Sequence, residues 1–268
     1  MSEDHSLQHV RCFLLDMDGT FYLGENLLEG ALKFIDVLNQ QGQDFLFLTN
    51  NSSKDSQQYV EKISRLGLPI TREKVLTSGE ATAMYIRNEK PGARVYVVGT
   101  PALENEFLAH GFSFDSRQPD FAVLGFDTTL TYEKLWTLCD LVRAGRPYIA
   151  THPDYNCPTE DGYMPDIGAT IAFVKASTGR EPDLIVGKPN PLFVEKAAER
   201  VGVPVSAMCM IGDRLYTDIA LGATAGIPTI LVLSGESKQE DLSTSPYQPR
   251  YVFPHLGAVA DHLLRSKT

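Results

Sequence analysis

Apolar residues recur along the chain in short, nearly continuous runs, with helically spaced stretches between them. Residues 10–15, 45–48, 95–98, 121–124, 148–150, 208–211 and 229–233 read as strands. Several lack the alternation of a half-exposed strand, so both of their faces are predicted to be covered. In 31–39, Leu32, Ile35 and Leu38 recur at helical spacing, as do Tyr59, Val60, Ile63 and Leu66 in 56–66. Residues 191–201 and 218–225 read as helices too. Strand alternating with helix predicts an α/β fold, a parallel sheet doubly wound by helices. Gly67-Leu68-Pro69, Gly202-Val203-Pro204 and Gly226-Ile227-Pro228 share one logic: glycine ends a helix and proline prevents its continuation.

The middle of the chain changes character. Residues 79–179 hold a strand–helix series of their own, with a loop from Thr151 to Ala169 rich in Pro, Asp and Gly. The flanking parts, 1–78 and 180–268, read as two portions of one sheet. The expected organisation is therefore a Rossmann-like core with a smaller α/β domain of residues 79–179 inserted into it, its edges set to within several residues. A chain of 268 residues, 43 % hydrophobic, has room for both.

The formal net charge of −10 opposes binding of a nucleic-acid polymer or an anionic membrane, since an acidic surface repels phosphate polymers. It leaves room for a small phosphate ligand in a local pocket of opposite sign. Cys12, Cys139, Cys157 and Cys209 include no C-x-x-C pair, and Cys12 and Cys209 sit in apolar runs as buried thiols. The first ten residues show neither a basic segment nor an apolar one, and no apolar run reaches the roughly 18 residues of a membrane span. A cytoplasmic location is expected.

The candidate chemistry lies where the apolar runs stop. FLLDMDGT ends a buried strand on two carboxylates, Asp16 and Asp18. In a parallel sheet, ligands bind beyond the carboxyl ends of the strands, and residues i and i+2 of an extended segment share an orientation. Two such carboxylates repel unless a cation sits between them or one keeps its proton. A plain Asp-Gly turn is the bland reading of the same residues. An EF-hand loop is excluded, because Phe21 stands where its glycine belongs and Leu27 where its glutamate does, and no P-loop run exists. MCMIGDRLYTD brings Asp213 to the end of another strand, with Asp218 following. Three carboxylate oxygens plus water suit Mg²⁺. Asp218 is expected in the first turn of the next helix, steering a ligand rather than binding the cation itself. FLFLTNN ends a strand in Thr49, Asn50 and Asn51, hydroxyl and amide donors fit for phosphate oxygens or for capping a helix over 52–66. LIVGKPNP ends a strand-like run in Lys188, which Pro189 and Pro191 hold in one direction.

Asp16-Met17-Asp18-Gly19-Thr20, Thr49-Asn50, Lys188 and Gly212-Asp213…Asp218 together resemble the four motifs of the haloacid dehalogenase-like phosphohydrolases. LTNNS, VGKPNP, GDRLYTDI and the mid-chain insertion are similar to that superfamily's NagD and 4-nitrophenylphosphatase-like branch. The resemblance spans nearly the whole chain. It implies a Mg²⁺-dependent phosphomonoesterase with Asp16 as nucleophile and Asp18 as acid and base. Mg²⁺ would be held by a carboxylate oxygen of Asp16, the backbone carbonyl of Asp18 and Asp213. Gly19, Thr49, Asn50, Asn51 and Lys188 would meet the phosphoryl group, and the 79–179 insertion would be a cap whose Asp154 reaches the substrate. The second aspartate, Asp18, favours an oxygen leaving group. Relatives act on nucleotide monophosphates, sugar phosphates and aryl phosphates, and no residue selects among them. Tyr216 stands where many members carry a polar residue and is expected to alter only the cleft wall. His152 is expected to be structural. Thr151–Asp154 and 159–162 are expected to form the most polar cap loop, and a homodimer through the cap is admitted. The rival readings are a phosphoryl-transferring mutase and a non-catalytic phosphate sensor; phosphate release separates an enzyme from a sensor.

Overall fold

In a computed structural model, residues 7–159 and 162–265 are described, so Glu160 and Asp161 of the polar loop lie outside the described residues. The chain divides into two compact units. The first takes residues up to 48, 60–76 and those from 189 onward; the second takes 49–59 and 77–188. The longest continuous stretch of the second unit is 77–188.

The first unit carries a six-stranded sheet in the order Tyr251–Phe253, Thr229–Val232, Met208–Gly212, Cys12–Leu15, Asp44–Thr49, Val75–Thr77. The central pairings are parallel, with Leu15 opposite both Ile211 and Phe47. All four residues of Cys12–Leu15 are buried, as a strand covered on both faces requires. Helix Ala31–Gln41 buries Phe34, Ile35, Val37 and Leu38, and Phe34 meets Phe13 edge to face at 5.6 Å. Helices Leu192–Val201 and Ala220–Ala225 end at Gly202 and Gly226 in left-handed conformation, as the glycine–proline punctuation predicts.

Strand order places the site. From Cys12–Leu15 the chain moves to Asp44–Thr49 on one side, and Met208–Gly212 leads to Thr229–Val232 on the other. The sheet therefore changes direction between Cys12–Leu15 and Met208–Gly212. Such a switch point opens a crevice beyond the strand ends. The amide of Asp16 donates to Ile211 O at 2.9 Å, so the pairing runs up to the first aspartate before the two segments part.

The second unit has its own five-stranded parallel sheet, ordered Leu184–Ile185, Tyr148–Ala150, Phe121–Leu124, Arg94–Val98, Ser113–Phe114. An antiparallel hairpin joins Asn156–Thr159 to Gly162–Pro165. Leu184–Ile185 pairs with Tyr148–Ala150, so the strand before Lys188 belongs to this sheet and not to the first. No helix among the described residues is long and apolar enough to cross a membrane.

Truncating Phe13, which is fully buried against Phe34, removes a ring from the strand that carries Asp16. Phe13→Ala is expected to lower the unfolding free energy by about 3–5 kcal/mol in urea titration. A loss below about 1 kcal/mol would mean that this ring is not part of a close-packed core.

Candidate active site

The carboxyl ends of the two central strands of the first unit deliver three acids to one point. Carboxylate oxygens of Asp16, Asp213 and Asp218 all lie within 4.8 Å of one another. Asp16 is half-buried, while Asp213 and Asp218 are 2 % and 0 % exposed. Two unit charges 4.8 Å apart repel by roughly 3–4 kcal/mol at an effective dielectric constant of about 20. Part of this is offset locally. The amide of Glu236 donates to Asp213 Oδ2 at 2.7 Å and that of Arg214 to Asp218 Oδ2 at 3.1 Å. Burial opposes the charge on Arg214, but the carboxylates of Asp16, Asp213 and Glu236 outweigh it and hold its pKa above the usual guanidinium value. Arg214 Nε lies 2.9 Å from Glu236 Oε2, so much of its charge is matched by a fourth carboxylate. The set stays net negative, and hard oxygen donors at this spacing fit a small divalent cation.

The backbone is shaped to admit these acids. Gly19 has φ +82°, and a Cβ there would sit 2.4 Å from Asp213 Oδ2; one at Gly235 would sit 2.0 Å from the same atom. The Asp213 carboxylate is thus cradled between two glycine backbones, and Ser234 Oγ ties the loops together by donating to Gly19 O at 2.8 Å. The carbonyl of Met17 accepts from the amides of Thr20, Phe21 and Tyr22, so Asp-Gly makes a turn and also carries chemistry-bearing residues. Asp18 itself is exposed. Asp218 falls not in the first turn of the following α-helix but in a π-helical turn, Leu215–Ile219, that precedes Ala220–Ala225. The hydroxyl of Tyr216 donates to Glu236 Oε1 at 2.7 Å, so Tyr216 joins the Arg214–Glu236 pair.

In the second unit, Asn50 and Lys188 form a reciprocal clamp. Asn50 Oδ1 accepts from the Lys188 amide at 2.8 Å, and Asn50 Nδ2 donates to Lys188 O at 3.1 Å. Asn50 Nδ2 also lies 3.1 Å from Asp154 Oδ2. The amide that the sequence offers to a phosphate is therefore engaged in fixing the Lys188 backbone, and Asp154 orients that amide. Lys188 is 3 % exposed, whereas lysines are mostly solvated. Thr49 is buried, and its Oγ1 accepts from the Asn51 amide at 3.2 Å. Asn51 Oδ1 accepts from the amide and hydroxyl of Ser53, a local turn. Asn51 does not cap a helix: the helix is Ser56–Arg65, and Asp55 and Gln58 cap it reciprocally at 2.9 and 3.1 Å. His152 is fully buried, with Nε2 3.0 Å from Asp166 Oδ1 and Nδ1 3.1 Å from Thr151 Oγ1, a structural placement.

Comparison with known proteins decides the family. Residues 13–113 match the haloacid dehalogenase-like hydrolase family and 185–259 a HAD-hydrolase-like family. An acid sugar phosphatase of Staphylococcus aureus (strain MRSA252) is 38 % identical over 257 residues, covering 95 % of this chain and 99 % of its own. The chain belongs to the haloacid dehalogenase-like hydrolases. The crystal structure of a 4-nitrophenylphosphatase from Thermotoga maritima is 50 % identical with a TM-score of 0.92, over 95 % of this chain and 98 % of that one. A putative nagD protein is 48 % identical with a TM-score of 0.89 over the same shares. The chain is a phosphoric monoester hydrolase of the NagD and 4-nitrophenylphosphatase-like branch.

Against the haloacid dehalogenase-like motifs, the residues that sequence reasoning missed are Arg214, Ser234, Gly235 and Glu236. Arg214 lies inside a quoted motif read only for its acids. Ser234 and Gly235 follow a strand, Thr229–Val232, whose end the strand-end rule could have flagged. Glu106 was missed as well. It is 2 % exposed and accepts from the Ser56 amide at 3.1 Å and from Thr77 Oγ1 at 3.0 Å. It thereby anchors the segment that follows Thr49–Ser53. Burial first, then the nearby Glu80 carboxylate, pushes its pKa from 4.5 up to about 8. Glu80 in turn faces His110 Nε2 at 3.5 Å, and His110 Nδ1 lies 3.3 Å from Arg87.

A carboxyl whose folded pKa is raised contributes stability that is full below its unfolded value and lost as pH rises through the folded one. Between pH 4.5 and about 8, Glu106 is therefore expected to make the protein progressively less stable. Glu106→Gln should flatten this trend, read as urea unfolding at several pH values. The same slope in both proteins would show that Glu106 ionises normally.

Proposed function

We propose that the protein is a Mg²⁺-dependent phosphatase that hydrolyses small phosphate monoesters through an aspartyl-phosphate on Asp16. The observation that carries this reading is the convergence of Asp16, Asp213 and Asp218 within 4.8 Å at the switch point of the sheet, with Asp18 two residues on. An oxygen of the Asp16 carboxylate attacks phosphorus and the bond to the ester oxygen breaks. Asp18 gives its proton to the departing oxygen. Asp18 then takes a proton from water, whose oxygen attacks phosphorus; the Asp16–phosphorus bond breaks and inorganic phosphate is released. Asp16, Asp213 and the carbonyl of Asp18 would hold Mg²⁺, and Asp218 steers the set through the Arg214 backbone. The cation supplies Lewis-acid neutralisation of the phosphoryl charge.

Thr49 and Lys188 are assigned to the phosphoryl oxygens. The clamp on the Lys188 backbone supports Asn50 as the residue that positions it, with Asp154 behind Asn50. Gly19 serves through its backbone, since the space of a side chain is taken by Asp213. Asn51 stiffens the loop. The names of the relatives support sugar phosphates and aryl phosphates as the ester class. Buried thiols at Cys12, Cys139 and Cys209 accord with work in the cytoplasm. The 77–188 unit is read as the cap, and self-association through it is part of the same reading.

Phosphate release from sugar phosphates, nucleotide monophosphates and 4-nitrophenyl phosphate, with Mg²⁺ and with EDTA, tests this function. Release is expected only with Mg²⁺, and Asp16→Asn should lower kcat by on the order of 10⁵-fold while the protein stays folded. Substantial turnover by that variant, or release undiminished by EDTA, would overturn the mechanism. Asn50→Ala is expected to retain chemistry but lose about 10–100-fold in kcat/KM, as misplacement of a charged group does. An unchanged kcat/KM would remove Asn50 from the positioning of Lys188.

A further inference from the structure

Arg214 is a cation set beside a site that has to accept another. Asp218 fixes its main chain: the Arg214 amide donates to Asp218 Oδ2 at 3.1 Å, and the Arg214 carbonyl accepts from the Asp218 amide at 3.0 Å. Burial opposes the guanidinium charge. Of the acids that uphold it, Asp16 acts most, then Asp213, then Glu236. Glu236 comes last although its Oε2 lies 2.9 Å from Arg214 Nε, because its side chain is 45 % exposed and water screens it. Asp213, by contrast, is 2 % exposed. The acids assigned to Mg²⁺ thus pull harder on Arg214 than the carboxylate it pairs with.

A guanidinium is planar and can bind carboxylates through two donors at once. An untethered Arg214 would be drawn toward Asp16 and Asp213, which repel each other and gain from any cation. Glu236 is placed to prevent this, because the segment that carries it is bonded on both sides. Ser234 Oγ donates to Gly19 O at 2.8 Å, the Glu236 amide to Asp213 Oδ2 at 2.7 Å and the Ser237 amide to Asp213 O at 3.1 Å. Ser237 Oγ accepts from the Leu215 amide at 3.2 Å. From this base one oxygen of the Glu236 carboxylate meets Arg214, and the other accepts from Tyr216 Oη at 2.7 Å. A half-exposed ion pair adds little to stability, so its place beside three acids points to a positional role.

We propose that Glu236, oriented by Tyr216, is a positioning residue that tethers Arg214 away from Asp16 and Asp213 and so keeps these acids open to Mg²⁺. The inference rests on the reading of those acids as the Mg²⁺ site. It adds to that reading a second cation, built into the chain, that competes for the same oxygens.

Calorimetric titration of MgCl₂ into the full chain, stripped of metal with EDTA and dialysed, is the test. Glu236→Gln keeps the size of the side chain and the amide that donates to Asp213, but leaves the charge of Arg214 unmatched. It should raise the Mg²⁺ Kd by about tenfold. Tyr216→Phe should raise it by a smaller factor, about threefold, as loss of one hydrogen bond does. Arg214→Gln should bind Mg²⁺ at least as tightly as the unmodified chain, and the double variant Glu236→Gln/Arg214→Gln should regain that affinity. Recovery on removal of a second charge separates competition between cations from damage to the loop, which two changes would compound. An unchanged Kd in Glu236→Gln, weaker binding by Arg214→Gln, or a double variant no tighter than Glu236→Gln would overturn this proposal alone. An unchanged Kd in Tyr216→Phe would overturn the part given to Tyr216. A chain that binds no Mg²⁺ before any substitution would overturn this proposal together with the Mg²⁺ reading.

Discussion

Mutual repulsion of three carboxylates is the constraint on which the site depends. Asp16, Asp213 and Asp218 bring oxygens within 4.8 Å of one another, with Arg214 the nearby cation and Glu236 already claiming it. A fold that merely needed stability would not gather these groups, since each ionised pair costs roughly 3–4 kcal/mol at an effective dielectric constant of about 20. The surroundings are built to tolerate the cost: glycine backbones at 19 and 235 press against Asp213, and main-chain amides of Arg214 and Glu236 point at the acids. What remains is a negative, oxygen-lined point at the switch of a parallel sheet, which suits a divalent cation and a phosphoryl group together.

The second unit solves a different problem, the holding of a buried lysine. Asn50 reads the Lys188 backbone with both ends of its amide, and Asp154 fixes which way that amide faces. Buried polar groups behave as a unit when every partner is satisfied, so the clamp is expected to be rigid. Glu106 plays the analogous part for the start of helix Ser56–Arg65, at the expense of ionising only above neutrality.

Long, fully apolar strands were legible because burial on both faces leaves an unbroken hydrophobic run, and the acids at their ends stood out against it. Strand order was not legible. That Cys12–Leu15 lies beside Met208–Gly212 is a long-range pairing, and it is what brings Asp16 to Asp213. Two- and three-residue strands such as Leu184–Ile185 and Val75–Thr77 carry too few positions for periodicity, so Lys188 could be matched to a motif but not to its sheet. That Asn50 holds the Lys188 backbone was not legible, because side-chain chemistry is visible in sequence and backbone partners are not. The helix after Asn51 began four residues later than expected, because Asp55 and Gln58 form the stronger cap.

The account stands or falls on Asp16 as the atom donor to phosphorus. Acid quench during steady turnover with Mg²⁺, followed by borohydride reduction of the acyl phosphate and peptide mass spectrometry, tests this directly. The predicted result is modification of Asp16, absent without substrate. Modification of another residue, or turnover with none at Asp16 in a single-turnover time course, would contradict it.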